Sequence, residues 1–211
     1  MSADSREAVL LLHGAWMNPL VMSYLAHALR REGFTAQTMG YRTMRDPLES
    51  HLSRLANRVA RLEAARVHLV GHSLGGVIAM RYLQRIADRR VHRAVLLGAP
   101  VAGCRAAARF AEHAGGELMM GQSLAVWREP VDVAVDPRFE IGAIAGNREL
   151  GLAGMVVRLP APNDGVVCLD ETRFSGLRDH LVLPVGHTLM LMSSRVARQT
   201  VSFLRTGAFR R

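Results

Sequence analysis

The stretch that most restricts how this chain can fold is residues 67–85, V-H-L-V-G-H-S-L-G-G-V-I-A-M-R-Y-L-Q-R. An apolar run at 67–70 meets Gly71, Ser73 and Gly75, and a helix-competent segment starts at once with Leu74. Strand, sharp turn and helix with a serine at the tip form the arrangement called a nucleophile elbow. A serine on so tight a turn holds a strained backbone conformation, and side chains two residues to either side would collide with it. Ser73 is therefore the candidate nucleophile, and the rest of the chain must supply its neighbours.

The pattern on both sides repeats the strand–helix alternation. An apolar run at 8–12 reads as a buried strand and ends at His13-Gly14-Ala15-Trp16. Asn18-Pro19 caps and starts a helix through 31, with Leu20, Tyr24, Leu25 and Leu29 on one side. A strand at 35–41 precedes a long amphipathic helix opened by Asp46-Pro47 and running to about 65. The elbow strand is followed by a helix at 74–87, then a strand at 93–97 closed by Gly98-Ala99-Pro100. Segment 101–138 is the least regular, with a helix at 104–113 and an apolar patch at 119–127. A strand at 139–145, a Gly- and Pro-rich loop or short hairpin at 146–161, an Asn163-Asp164-Gly165 turn, a strand at 180–185 and a helix at 188–205 complete the chain. Six strands alternating with helices imply an α/β fold with a mostly parallel sheet covered on both faces. With 211 residues the chain suits one domain, and 101–138 is the insertion long enough to act as a short lid or pocket rim.

Composition removes several chemistries. All 27 basic residues are arginine, so lysine-dependent phosphate loops, Schiff bases and Ser–Lys dyads are excluded. The net charge of +9 is spread along the chain: Arg54, Arg58 and Arg61 share one helical face, Arg81, Arg85 and Arg89 another, and both read as solvated. No nucleic-acid partner is expected, and transient contact with a membrane surface is the remaining use of that charge. Cys104 and Cys168 have no metal-ligand spacing and read as free thiols, so neither metal nor cofactor is expected. No apolar run approaches the roughly 20 residues that span a bilayer. The amino-terminal residues include acidic side chains and no long apolar core, which favours a cytoplasmic location.

A serine hydroxyl needs a base to take its proton and a third group to orient that base. On parallel-sheet scaffolds the order along the chain is serine, acid, histidine. His187 lies at the exit of the last strand, where catalytic groups collect, whereas His180 lies at the strand's opposite end. Twelve carboxylates separate Ser73 from His187. Asp164, in the Pro162-Asn163-Asp164-Gly165 turn, is preferred. Asp170, Glu171 and Asp179 have arginines such as Arg173 and Arg178 nearby to pair with, and Asn-Asp-Gly also forms turns with no catalytic role. The oxyanion needs two donors. One is the N–H of Leu74 at the helix start. The other comes from the loop after the first strand, from Ala15 with Trp16 as the alternate. Gly14 allows close approach there, and His13 bonds its own loop.

Together, H-G-A-W, G-H-S-L-G-G, P-N-D-G-V-V and G-H-T-L-M resemble the α/β-hydrolase superfamily, in particular its small lidless lipase and esterase members. The resemblance runs from about residue 8 to 206 and implies a Ser73–Asp164–His187 triad with oxyanion donors at Ala15 and Leu74. Where such proteins often carry Gly-Ser after the Gly-x-Pro strand exit, this chain has Gly103-Cys104. A small-molecule or lipid acyl ester is the substrate the resemblance implies. Met17, Met22, Met119, Met120, Met190 and Met192 could line a groove for it or pack in the core. A thioesterase or acyltransferase on the same residues, an amidase, and a non-catalytic binding protein on the same fold are the alternatives.

Overall fold

The computed structural model describes residues 7–86, 88–128, 135–149 and 159–211. Six strands form one sheet: β1 (Glu7–Leu12), β2 (Thr35–Met39), β3 (Arg66–His72), β4 (Val91–Leu97), β5 (Glu140–Gly146) and β6 (Asp179–Leu183). Their order is β2-β1-β3-β4-β5-β6, and every pairing is parallel. Parallel neighbours need crossovers, and these supply α1 (Ser23–Arg31), α2 (Leu48–Ala60), α3 (Leu74–Arg85), α4 (Arg105–Ala111), α5 (Gly116–Met120) and α6 (Ser123–Arg128), while α7 (Ser194–Thr206) follows the last strand. Among the described residues no helix is long and apolar enough to cross a membrane.

Side chains alternate across a strand, so each strand feeds two cores. Ala8, Leu10 and Leu12 of β1 join Val67 and Leu69 of β3 in a cluster closed by Leu52, Leu55 and Val59 of α2 and Val77 and Ile78 of α3. Val9 and Leu11 point the other way, toward Leu25 and Leu29 of α1 and Val196 and Phe203 of α7. Each such fully buried aliphatic side chain is worth about 1.5–3 kcal/mol in transfer from water. The both-faces-covered sheet expected from the sequence is thus present.

The departures are local and have packing causes. The first helix begins as a 3-10 turn, Pro19–Met22, with Asn18 accepting from the Leu20 N–H at 2.9 Å. Its buried face is Met22, Leu25, Ala26 and Leu29, while Leu20 and Tyr24 face outward. Helix α2 ends at Ala60, a turn earlier than its apolar pattern suggests, although Leu62 remains in the core. The arginine face expected on α3 is not uniformly solvated. Arg81 is buried on a helix that contacts both β3 and α2, whereas Arg85 is exposed and reaches Glu49 at 2.5 Å. The last helix is also divided, into a 3-10 turn at Leu189–Met192 and α7, which Ser193 caps by accepting from the Val196 N–H. Both cysteines are free and buried. Residues 150–158, within the loop-or-hairpin segment, and residues 129–134, within the lid segment, lie outside the described residues.

Candidate active site

The strand order reverses at β1: the chain passes from β1 to β2 on one side, then returns to place β3 on the other. The loops leaving β1 and β3 therefore diverge at their carboxyl ends, which is where open parallel sheets bind ligands. His13–Trp16 leaves β1 at this point, and Ser73 leaves β3.

Ser73 has φ +52° and ψ −121°, and Trp16 has φ +55°; these are the non-glycine residues with positive φ among the described residues. Such backbone is costly for an L-residue and persists only when its surroundings enforce it. The surroundings are backbone packed too closely for side chains. A Cβ on Gly71 would lie 2.5 Å from the carbonyl oxygen of Gly75 and the Cα of Gly76. A Cβ on Gly75 would lie 2.5 Å from the carbonyl oxygen of Leu12. Both positions are thus closed to side chains, Gly71 by the start of α3 and Gly75 by the end of β1 rather than by the serine itself. The Ser73 N–H donates to the Leu97 carbonyl at 2.9 Å, which ties the turn to β4.

Asp164 and His187 meet although 23 residues separate them. The His187 Nδ1–H donates to Asp164 Oδ2 at 2.8 Å, and the His187 backbone N–H donates to the Asp164 carbonyl at 2.9 Å. Asp164 is 1% exposed and His187 5%, so both work in a largely dry environment. The other carboxylate oxygen, Oδ1, accepts from the N–H groups of Val166 at 3.0 Å and Val167 at 2.7 Å. Asp164 is accordingly a turn residue and a histidine partner at once, one oxygen for each. Gly98, at φ +53°, brings β4's exit against the pair, since a Cβ there would lie 3.0 Å from Asp164 Oδ2 and 3.1 Å from His187 Nδ1.

His13 bonds its own loop as expected, Nδ1–H to the Gly14 carbonyl at 2.9 Å. Its ring stacks on Tyr41 at 4.3 Å between centroids, and the Tyr41 hydroxyl donates to the His13 carbonyl. Burial lowers the His13 pKa below its ordinary value. The Trp16 N–H is already engaged by the Thr43 hydroxyl at 3.2 Å. Thr43 and Tyr41 carry no motif signal, because their contacts cross from the loop after β2.

The other acids find different partners from those expected. Asp170 pairs with Arg105 at 2.6 Å, Asp179 with Arg211 at 2.9 Å, and Arg178 instead pairs with Glu140 at 3.0 Å. Glu171 is buried and accepts the N–H groups of Arg105 and Cys168. His180 is held by the Thr172 hydroxyl at 2.9 Å, away from Ser73. Sequence reasoning passed over His72, which sits inside the elbow motif itself.

The described part of the insertion reaches this region. Phe110 of α4 lies edge-on to Trp16, with centroids 6.0 Å apart, and the Gln122 N–H donates to the Met44 carbonyl. Beneath its helices lies an apolar cavity of about 320 Å³ lined by Cys104, Leu124 and Trp127 among others. A larger one, about 790 Å³, lies away from the site between the end of β2 and α2 and is lined by Arg54, Arg58 and Arg61. Of the methionines, Met22, Met120 and Met190 are core residues, whereas Met119 and Met192 are exposed.

Fold and site together define a doubly wound parallel α/β protein with a strained serine and an Asp–His pair gathered at the carboxyl ends of its strands. The family model described as the alpha/beta hydrolase family matches residues 9–182, and the chain belongs to that family. The match ends before His187. The fold is similar to that of the mature lipase BlEst2 of Bacillus licheniformis, at TM-score 0.76 and 17% identity over 99% of this chain and 94% of that one. It is also similar to the metagenomic carboxyl esterase MGS0156, at TM-score 0.68 and 18% identity over 90% of this chain and 66% of that one. A bromoperoxidase from Bacillus anthracis matches at TM-score 0.66 and 15% identity over 96% of this chain and 93% of that one. At these identities the likeness is one of fold. The sequence matches no curated protein.

Proposed function

We propose that this chain is a serine hydrolase that cleaves carboxylic esters through an acyl-enzyme intermediate. Ser73 Oγ attacks the ester carbonyl, and His187 Nε2 takes the hydroxyl proton as general base. Asp164 holds the His187 Nδ1–H, which fixes the tautomer that leaves Nε2 free to accept, and it stabilises the imidazolium that forms. The proton then passes to the leaving alcohol, and water repeats the sequence to release the acid. The N–H groups of Ala15 and Leu74 are the oxyanion donors in this reading, and the engagement of the Trp16 N–H by Thr43 favours Ala15. As proposed, the reaction needs no cofactor.

The observation that carries this reading is the 2.8 Å bond between buried His187 and Asp164, at the same carboxyl edge of the parallel sheet as a serine held at positive φ. Exposed apolar side chains support an acyl substrate. Trp16, Leu189 and Met192 are all more than half exposed and lie close in sequence to Ala15 or His187. Such a substrate could be presented as a small molecule or at a membrane surface.

Fluorophosphonate labelling of the wild type and of Ser73→Ala tests the nucleophile. The expected result is label on the wild type only. An unlabelled wild type would sink the hydrolase reading, and label surviving in Ser73→Ala would reassign the nucleophile. A chain-length series of p-nitrophenyl esters then reads the acyl preference, and no turnover at any length counts against ester hydrolysis.

A further inference from the structure

His72 is the residue immediately before Ser73, is fully buried, and takes no part in the chemistry just described. Its Nε2–H donates to the backbone carbonyl of His187 at 3.0 Å, across 115 residues of sequence. The two imidazole rings also pack against each other, 4.6 Å between centroids and tilted by 46°. A carbonyl can only accept, so Nε2 carries the proton of a neutral ring and Nδ1 presents a lone pair. That Nδ1 has no hydrogen-bond partner among the described residues. It faces the β1 loop, since a Cβ on Gly14 would lie 3.0 Å from it.

His72 therefore touches both halves of the site from below. One edge holds the main chain of the residue read as the base. The other edge lies against the loop that carries Ala15. An unpaired buried acceptor is costly, a cost that a purely apolar side chain at this position would not carry.

We infer that His72 is a positioning residue, which locks the His187 backbone to the elbow strand so that the imidazole keeps its bond to Asp164 while its other nitrogen faces Ser73. This inference rests on the triad reading above. The chemical logic is one of rigidity. During turnover His187 gains and loses a proton at Nε2, and its ring must return each time to the same place. The Asp164 bond restrains the ring at Nδ1, the N–H bond to the Asp164 carbonyl restrains the backbone on one side, and the His72 bond restrains it on the other. Burial keeps the His72 pKa well below its ordinary value, so no second positive charge forms beside the imidazolium of His187.

The test compares His72→Leu with His72→Gln. Leucine removes the donor, whereas the glutamine amide can place an N–H near the original Nε2. A base displaced by about 1 Å loses up to about 100-fold in rate. On a soluble short-chain ester, His72→Leu is expected to lower kcat by about 10- to 100-fold with KM within about twofold, and His72→Gln to recover most of the loss. Equal loss in both variants, at matched melting temperature, would overturn the inference, as would wild-type kcat in His72→Leu.

A second readout does not depend on turnover. The His187 Nδ1–H resonance, read by proton NMR, is expected to exchange faster with solvent in His72→Leu than in the wild type, and to be protected again in His72→Gln. Unchanged exchange in His72→Leu overturns the positioning role even if no ester is ever hydrolysed. If the wild type fails to turn over esters while this resonance behaves as expected, the hydrolase reading falls and the restraint on His187 stands. Should His72→Leu fail to fold, His72→Asn takes its place, because its shorter amide reaches the position of Nδ1 but not that of Nε2.

Discussion

Two buried carboxylates sit a few residues apart, and they have opposite surroundings. Asp164 is 1% exposed and Glu171 3%. Each accepts two backbone N–H groups, and each organises a tight turn of its own. Asp164 spends one oxygen on its turn and gives the other to His187. Glu171 divides its two oxygens between the N–H groups of Arg105 and Cys168, and the guanidinium of Arg105 approaches no nearer than 3.9 Å. Burial, the largest influence on it, raises the Glu171 pKa above its ordinary value despite those donors. Burial and hydrogen bonding alone thus do not mark a catalytic acid. In the proposed triad, the partner on the free oxygen does.

The sharpest way to break that contrast is to neutralise each carboxylate in turn. Asp164→Asn keeps the shape but lets the amide favour the wrong histidine tautomer, and kcat on a soluble ester is expected to fall about 10⁴-fold. Glu171→Gln is expected to leave kcat within about twofold, since this carboxylate touches no reacting group. Comparable losses from the two substitutions would erase the distinction.

Displacing Asp164 without changing its chemistry gives a smaller effect. A Cβ on Gly146, at the end of β5, would lie 2.8 Å from the Asp164 Cβ and nearer still to the carbonyl oxygen of Val185, in the segment that leads to His187. Gly146→Ala is therefore expected to push the aspartate off His187 and to lower kcat by roughly 100-fold, with a lower melting temperature as well. A fully active, stable Gly146→Ala would show that the pair tolerates movement.

The smallest effect concerns Glu171 and pH. A carboxyl whose folded pKa is raised binds its proton more tightly in the folded state, so its contribution to stability is present below the ordinary value of 4.5 and is lost as pH rises through the raised one. Melting curves recorded upward from pH 4.5 should show a decline in the wild type that is absent from Glu171→Gln. A steeper decline in the variant would contradict the assigned cause.

Much of this was legible in the sequence because the restricting feature is local. Gly71, Ser73 and Gly75 encode a turn whose sterics are set within five residues, and the flanking apolar runs encode the strand and the helix. The β1 loop is equally local in its Gly14, which the backbone requirement alone selects. Partner choice was harder to read. Twelve carboxylates lie between Ser73 and His187, and spacing along a chain carries little information about which one a folded sheet brings to a histidine. The arginine partners of Asp170 and Asp179 were misjudged for that reason: they come from α4 and the carboxyl terminus, not from adjacent residues. Arg81 was read as solvated because helical periodicity reports a face and not what later packs against it.

By itself the sequence determined the alternation of strands and helices, the family, and the strained turn at Ser73. The alternation and the turn follow from short-range sterics and side-chain periodicity, and the family from the motifs that resemble it. Only the tertiary structure decided that Oδ2 of Asp164 is the atom free for His187, that Thr43 occupies the Trp16 N–H, and that His72 holds the His187 carbonyl. Those contacts join segments 23, 27 and 115 residues apart, and they are fixed by the register of the parallel sheet that brings strand ends together. Ser73 begins as the tip of one motif and ends set between Gly14 of the β1 loop and the Leu97 carbonyl at the end of β4.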